Sequence, residues 1–231
     1  MTRKSFDREL TKLQDNLLEL GEMVVHAITH SVEILRDRDI DAAKKLIAAD
    51  TTINRKRYAI ESETLILIAR QQPMAVDLRT LASVLEIATE LERIADYAKG
   101  IAKLAIRLED EPFIKPLIDI PRMAEKASGM LHRSLVAFME RRVDMAREIA
   151  NEEQEIDALY QYIYRELMSY ILADPRNIEG ASHLTWVAHN LERTADRVVN
   201  ICERIIFTVT GELIELEDHP EDQFEDQSEK E

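Results

Sequence analysis

Two stretches of this chain carry almost the same motif, Leu91-Glu92-Arg93-Ile94-Ala95-Asp96 and Leu191-Glu192-Arg193-Thr194-Ala195-Asp196. Residues four positions apart lie on one face of a helix, so each copy presents a glutamate and an aspartate side by side. A single acid pair is a weak signal in a chain with 45 acidic residues. A six-residue motif that returns 100 positions later in matching surroundings indicates an internal duplication.

The composition favours an all-helical protein. Only five glycines and six prolines interrupt the chain, aromatic residues make up 5%, and hydrophobic residues make up 45%. Few helix breakers and abundant alanine, leucine and glutamate are typical of helical bundles. The single cysteine, Cys202, excludes an internal disulfide framework and is predicted to be a small core residue.

The net charge of −15 argues against nucleic acid as a partner, because phosphate contacts need lysine and arginine. Acid is concentrated near the end of the sequence, so residues 212–231 are predicted to be a disordered acidic tail. The sequence shows no signal peptide, and its longest apolar run, at 65–69, is far below the roughly 20 residues that cross a bilayer. We therefore expect no membrane insertion and a cytoplasmic location.

Apolar residues that recur every three or four positions predict six long helices, at residues 6–36, 42–71, 78–108, 122–141, 145–173 and 180–210. These would form two tandem antiparallel three-helix bundles, at 1–111 and 122–211, joined by a proline-containing linker at 112–121. The duplication predicts pseudo-two-fold symmetry between them. The predicted end signals are Asp39 or Asp41, Asp77 and Asp144 as N-caps, and Pro73, Asp174-Pro175 and Gly211 as stops.

The two halves also correspond outside the motif. Asp50 and Asn54 on the second helix align with Glu153 and Asp157 on the fifth. On the third and sixth helices the motif acids flank a stripe of mostly small residues, which would let a neighbouring helix approach closely. The stripes are Val84, Ala88, Leu91, Ala95, Ala98 and Ala102, and Leu184, Ala188, Leu191, Ala195, Val198 and Cys202.

Carboxylates beside a packing face need compensation, and a metal ion is one hypothesis. Two helices of each half would supply oxygen ligands one turn apart, as in carboxylate-bridged clusters of helical bundles. Oxygen ligands of this kind favour Mg, Mn, Ca or Fe(III). The candidate ligands are Glu92, Asp96, Asp50 and Asn54 in the first half, and Glu192, Asp196, Glu153 and Asp157 in the second.

A competing interpretation needs no metal, because arginines could pair with the acids. Its candidate pairs are Glu92 with Arg93 or Arg79, and Glu192 with Arg193 or Arg197. The Glu-x-x-His pattern of di-iron oxidases is absent from the sequence, and nothing resembles a catalytic triad or a phosphate-binding loop. His26 and His30 lie one turn apart, but the fourth helix has no matching pair, so they are interpreted as surface residues.

At these residues the sequence resembles the PhoU family of bacterial phosphate-transport accessory and regulatory proteins. The resemblance rests on residues 70–79 (RQQPMAVDLR), 90–96 (ELERIAD), 191–197 (LERTADR) and 200–203 (NICE), and it covers about residues 6–211. It implies two three-helix bundles with multinuclear metal clusters, in which the ion is iron, zinc, magnesium or manganese. The implied ligands are Glu92, Asp96, Glu192 and Asp196, supported by Asp50, Asn54, Glu153 and Asp157.

The resemblance also implies a function without catalysis. Such proteins look like adaptors between the ATPase subunit of a phosphate ABC transporter and a phosphate-sensing membrane histidine kinase. They hold phosphate-starvation signalling off and restrain uptake when phosphate is plentiful, and we expect a homodimer. Two alternatives stay open at this point: a carboxylate-bridged metalloenzyme, and a structural scaffold with exposed acids.

Overall fold

The computed structural model describes residues 3–109 and 111–216, and within these ranges its regular structure is helical, without a β-strand. The predicted all-α class is confirmed. The helices are α1 (Arg3–Asp37), α2 (Ile40–Gln71), α3 (Val76–Arg107), α4 (Asp119–Glu140), α5 (Val143–Asn151), α6 (Glu153–Ala173) and α7 (Ile178–Thr210), with a 3₁₀ turn at Pro175–Asn177.

The predicted fifth helix is divided into α5 and α6 at Glu152. This residue keeps right-handed helical dihedral angles, φ −75° and ψ −15°, so no loop separates the two segments. Its N–H donates to the Ile149 carbonyl at 3.1 Å, and its carbonyl accepts from the Glu155 N–H at 3.1 Å. Bonds that span three residues tighten one turn into 3₁₀ geometry. Together α5 and α6 occupy the place of one long helix.

The two bundles pack against each other through equivalent helices. Helices α1, α2 and α3 form the first bundle, α4 to α7 form the second, and the bundles meet where α1 contacts α4 and α3 contacts α7. Contacts between equivalent helices are what a two-fold relation requires. One connected core includes Leu17 and Leu91 from the first bundle and Leu135 and Leu191 from the second. The predicted pair of bundles is confirmed, and the pair shares a core.

Both small-residue stripes lie inside this core, as predicted. None of their described side chains is more than 2% exposed. Cys202 belongs to the second stripe, and its burial raises the pKa of the thiol to about 12, since a thiolate would be poorly solvated there. The motif acids next to these stripes are therefore held at the edge of the packed interior.

Several predicted helix ends agree with the structure. The Asp39 side chain caps α2 by accepting from the Ala42 N–H at 2.9 Å, and α2 and α6 end just before Pro73 and Asp174-Pro175. Gly211 ends α7 in the left-handed region, at φ 84°, where its N–H donates to the Phe207 carbonyl.

Two predicted caps are wrong, and all six predicted helices start two or three residues earlier than predicted. Helices α3 and α5 begin at Val76 and Val143, so Asp77 and Asp144 lie in the first helical turn. Acids there still interact favourably with the helix dipole, so they mark a helix start without capping it. Helix α4 begins at Asp119, so Pro121 belongs to its first turn, where a proline needs no N–H partner.

The start of the predicted tail packs back on the protein. Ile214 and Leu216 contact the core, and the Leu216 N–H donates to Glu203 Oε1 at 2.8 Å. Residues 212–216 therefore differ from the predicted disorder. The rest of the predicted tail, 217–231, lies outside the described residues.

Candidate metal-binding site

The first-half group consists of Asp50 and Asn54 on α2 and of Glu92 and Asp96 on α3. A lysine of α3 lies among its acids. Asp50 on α2 is 7% exposed, and its Oδ2 accepts from Lys99 Nζ on α3 at 2.6 Å. Asn54 donates to the same oxygen at 3.1 Å, and Lys99 Nζ also lies 3.5 Å from Asp96 Oδ1. The bond to Asp50 raises the pKa of Lys99, which keeps the ammonium charged. A cation of the protein itself therefore stands where the sequence predicted a metal ion.

The arginines do not pair with Glu92 as the metal-free interpretation predicted. Arg93 donates to Glu90 at 3.0 Å, and Arg79 donates to the carbonyl of Thr208 on α7 at 3.3 Å. Glu90 competes successfully because it lies one turn before Arg93 on the same helix. Of the two motif acids, Glu92 is half-buried, whereas Asp96 is 52% exposed.

The second-half group consists of Glu153 and Asp157 on α6 and of Glu192 and Asp196 on α7. Its acids have a different set of partners. Arg193 pairs with Asp196 at 3.1 Å, and Arg197 reaches Glu90 on α3 at 3.4 Å. The predicted pairing of Glu192 with either arginine is therefore wrong. Glu192 Oε2 lies 3.2 Å from His189 Nδ1, but this buried oxygen finds no hydrogen bond of acceptable geometry within the described chain.

Negative charge in the second-half group is undercompensated. Burial, with the nearby charges of Asp196, Asp157 and Glu153, raises the pKa of Glu192 to about 7, against a smaller opposing effect of Arg193. Burial also raises the pKa of Asp196, again opposed by Arg193. The structure thus brings all four predicted second-half ligands into one electrostatically coupled group.

The two groups differ in how well they fit a metal ion. As the side chains stand, no three His, Cys, Asp or Glu residues in 3–109 and 111–216 are arranged to hold one. In the second half, an unpartnered buried oxygen of Glu192 and three nearby acids offer hard donors that a cation would compensate after side-chain rotation. In the first half, Lys99 already compensates the charge of Asp50 through Oδ2, so an added cation would compete with the ammonium for this carboxylate, whose buried Oδ1 has no hydrogen-bond partner among the described residues.

A groove of about 670 Å³ opens beside the first-half group. Its lining includes Asp50, Lys99 and Lys45, with His26 and His30, whose rings are 5.3 Å apart. His26 is exposed, as predicted, and the structure adds that both histidines face this groove.

Glu90 connects the two halves at the contact between α3 and α7. It accepts from Arg197 and Asn200 on α7, each at 3.4 Å, as well as from Arg93. Its side chain is 12% exposed, so these charges meet in a mostly desolvated place. The cleft around them has a volume of about 460 Å³.

Sequence reasoning missed Lys99, His189 and Glu90. At the offset of 100 residues the corresponding positions hold Val199, Thr89 and Asn190, so each of these residues has no counterpart of its kind in the other half. The signal that the sequence offers for them is a titratable residue in one repeat opposite an uncharged residue in the other. Of the three, His189 places an imidazole beside the second-half acids.

The fold and these groups define an all-helical protein of two duplicated bundles, each with an acid pair beside its packing face. The profile of the PhoU domain matches residues 17–105 and 120–205. The chain therefore belongs to the PhoU family. None of its helices, within the ranges described above, has an apolar stretch long enough to cross a membrane.

Relatives and solved structures agree with this assignment. The chain is 35% identical over 219 residues to a phosphate-specific transport system accessory protein PhoU homologue of Clostridium acetobutylicum, covering 94% of this chain and 100% of the relative. A homologue of the same name from Aquifex aeolicus is 35% identical over 90% of this chain and 94% of its own length.

Two crystal structures carry the same fold. The phosphate transport system regulatory protein PhoU from Streptococcus pneumoniae matches with a TM-score of 0.84 at 31% identity, over 90% of this chain and 99% of that one. PhoU from Pseudomonas aeruginosa matches with a TM-score of 0.85 at 31% identity, over 90% and 100% of the two chains.

Proposed function

We propose that this protein is an accessory regulator of a phosphate-specific transport system. The observation that carries the proposal is its alignment with the whole length of a relative named as the accessory protein of such a system. Its partners would be the ATPase subunit of the phosphate ABC transporter and a phosphate-sensing membrane histidine kinase. When phosphate is plentiful, it would restrain uptake and hold the phosphate regulon off.

The protein would act by binding rather than by catalysis. It would work in the cytoplasm as a homodimer, at the inner face of the membrane, to which its partners recruit it. No nucleic-acid contact is part of the proposal, because the net charge of −15 opposes binding to phosphate backbones. Light scattering on the purified chain would test the homodimer.

Deletion and complementation would test the regulatory role. In a strain that lacks the gene, we expect a phosphate-starvation promoter to be several-fold more active in high phosphate and uptake of labelled phosphate to rise. The full chain, supplied in trans, should restore both. Retention of the transporter ATPase by the purified protein would support direct contact. Unchanged promoter activity and uptake after deletion would contradict the proposal.

We further propose that the second-half group binds a metal ion such as Mn, Mg, Fe or Zn. Its ligands would come from Glu192, Asp196, Glu153 and Asp157, and the ion would stabilise the α6–α7 face for partner docking. The support is the shortage of compensating charge around Glu192. Oxygen donors suit Mg and Mn, and the nearby His189 would add a nitrogen that Fe and Zn accept.

Equilibrium dialysis against Mn²⁺ would test the metal proposal directly. The double variant Glu192→Gln with Asp196→Asn should lose at least tenfold in Mn²⁺ affinity. The matched control Glu148→Gln, an exposed residue on α5, removes a carboxylate elsewhere and should bind like the wild type. Equal affinity in all three proteins would overturn the assignment.

One observation favours the alternative of a carboxylate-bridged metalloenzyme. His189 lies 3.2 Å from Glu192, so the second-half acids do have a candidate proton carrier beside them. This alternative predicts oxygen consumption or phosphate-ester hydrolysis by the Mn- or Fe-loaded protein. Turnover that disappears in Glu192→Gln would replace the adaptor proposal with an enzymatic one.

A further inference from the structure

We propose that Lys99 is the resident cation of the first half, so that metal ions bind in the second half alone. The part about the second half rests on the metal proposal above. The part about Lys99 concerns residues of the first half and can be tested without any metal.

The position of the ammonium is the first support. Lys99 Nζ is bonded to buried Asp50 on α2 at 2.6 Å and lies 3.5 Å from Asp96 on its own helix. A bridging ion would have to contact carboxylates of these same two helices. A multivalent cation at this place would be repelled by the ammonium at short range. The lysine and the ion are therefore alternatives for one position.

The charge of the neighbouring residues is the second support. Asn54, where the second half has Asp157, brings no charge and donates a hydrogen bond to Asp50 Oδ2, so two protein donors share that oxygen and Oδ1 alone has no hydrogen-bond partner in the described chain. The first half thus presents one acid fewer and one amine more than the second. Both differences reduce its attraction for a metal ion.

The corresponding position in the second half is the third support. Val199 stands where the first half has Lys99, and it is 2% exposed and apolar. It cannot compensate Glu192, and Arg193 pairs with Asp196, so a buried oxygen of Glu192 is left without a hydrogen-bond partner in the described chain and with a need for an external cation. The acids of the repeat are thus compensated in two ways, by a lysine in the first copy and by a bound ion in the second.

Mn²⁺ dialysis on the full chain tests the division between the halves. Wild-type Mn²⁺ binding should be unchanged by Glu92→Gln with Asp96→Asn. Lys99→Met should add Mn²⁺ binding that Asp96→Asn abolishes, with at least a tenfold gain in first-half affinity. Lys103→Met, which removes an exposed lysine one turn away, should add none. Loss of wild-type Mn²⁺ binding in the Glu92/Asp96 variant would overturn the inference.

A thermodynamic cycle in EDTA tests Lys99 independently of metal. Lys99→Met should reduce the folding equilibrium constant at least tenfold, because it leaves Asp50 buried without its cation. In the Asp50→Asn background, Lys99→Met should reduce the folding equilibrium constant by a factor at least five times smaller. Lys99→Arg in the otherwise wild-type chain should keep most of the stability. Additive effects of the two substitutions would refute the role of Lys99. If the wild type binds no Mn²⁺, the metal proposal fails and the cycle still decides on Lys99.

Discussion

Gly21 on α1 lies directly against Leu135 on α4, so that a β-carbon placed on Gly21 would stand 2.2 Å from Leu135 Cδ1. The contact joins the two bundles, and Leu135 is only 1% exposed. The missing side chain at position 21 therefore sets how closely the halves approach.

We expect Gly21→Ala to lower the free energy of unfolding by about 1–3 kcal/mol, because Leu135 is packed on all sides and must move. Gly129→Ala is the matched control, since no atom of the described neighbouring side chains comes within 4 Å of a β-carbon there. It should raise stability by about 0.5–1 kcal/mol through helix propensity. Urea unfolding measures both, and a gain in both variants would contradict the close approach.

Removal of the charge on Glu90 should weaken the contact between the halves. Its side chain is 12% exposed and that of Arg197 17%, so Glu90→Gln leaves a largely desolvated arginine poorly compensated. We expect a loss of about 1–3 kcal/mol in unfolding free energy. Glu86→Gln is the control on the same face: Glu86 pairs with Arg204 but is 52% exposed, and should cost about 0.5 kcal/mol or less. Equal losses would show that the desolvation of Glu90 is unimportant.

The stability of the metal-free protein should depend on pH through Glu192. Its folded-state pKa is raised from the ordinary glutamate value of 4.5 to about 7, so the folded protein binds this proton more tightly than the unfolded chain. The stability that this proton contributes is therefore fully present below about pH 4.5 and is lost as the pH rises through 7. The charged groups around Glu192 are Asp196, Arg193, Asp157 and Glu153, and the titratable ring of His189 lies 3.2 Å from it.

Glu192→Gln should remove this dependence. In EDTA at pH 8 we expect the variant to be more stable than the wild type by up to about 2–3 kcal/mol, and at pH 4 the two should be nearly equal. Glu148→Gln on α5 corrects for the change in net charge, as its side chain is exposed. Stability curves of Glu192→Gln and wild type that run parallel from pH 4 to pH 8 would rule out the raised pKa.

Cys202 should be inert in the folded protein. It is fully buried, and burial raises the pKa of its thiol to about 12, so little reactive thiolate forms at pH 8. We expect an aromatic disulfide reagent to react with Cys202 at least 100-fold more slowly in native buffer than in 6 M guanidinium. The ratio of the two rates is set by how rarely the core opens. In Cys202→Ala carrying Ser182→Cys, an exposed position, the introduced thiol should react rapidly without denaturant. Rapid reaction of native Cys202 would refute its burial.

The fold followed from local patterns that need no knowledge of tertiary contacts. The small residues flanking Leu91 and Leu191 predicted two packing faces, and Pro73 and Gly211 predicted helix ends, because these residues act through their own backbone and volume. The break at Glu152 was missed, since it consists of two hydrogen bonds of 3₁₀ type that leave the apolar period intact.

The partners of the acids could not be predicted in the same way. Pairing Lys99 with Asp50 depends on the register between α2 and α3, and pairing Arg197 with Glu90 depends on the contact between the two halves. The sequence has arginines within one turn of Glu92 and Glu192, but a long arginine side chain can pair with any of several acids within its reach. The motif therefore placed the acids beside the two packing faces, where the structure has them, and left their partners undetermined.

The contacts of α1 with α4 and of α3 with α7 also bear on how the chain arose. A single ancestral repeat with these helices would expose the same apolar faces, and a second copy of itself would be the natural cover. In this protein the same contact joins two copies within one chain, and these copies need not be identical. Identical subunits must carry every substitution twice, whereas a fused pair can accept a lysine at position 99 and keep a valine at 199. The two copies are therefore free of the exact symmetry that identical subunits must keep.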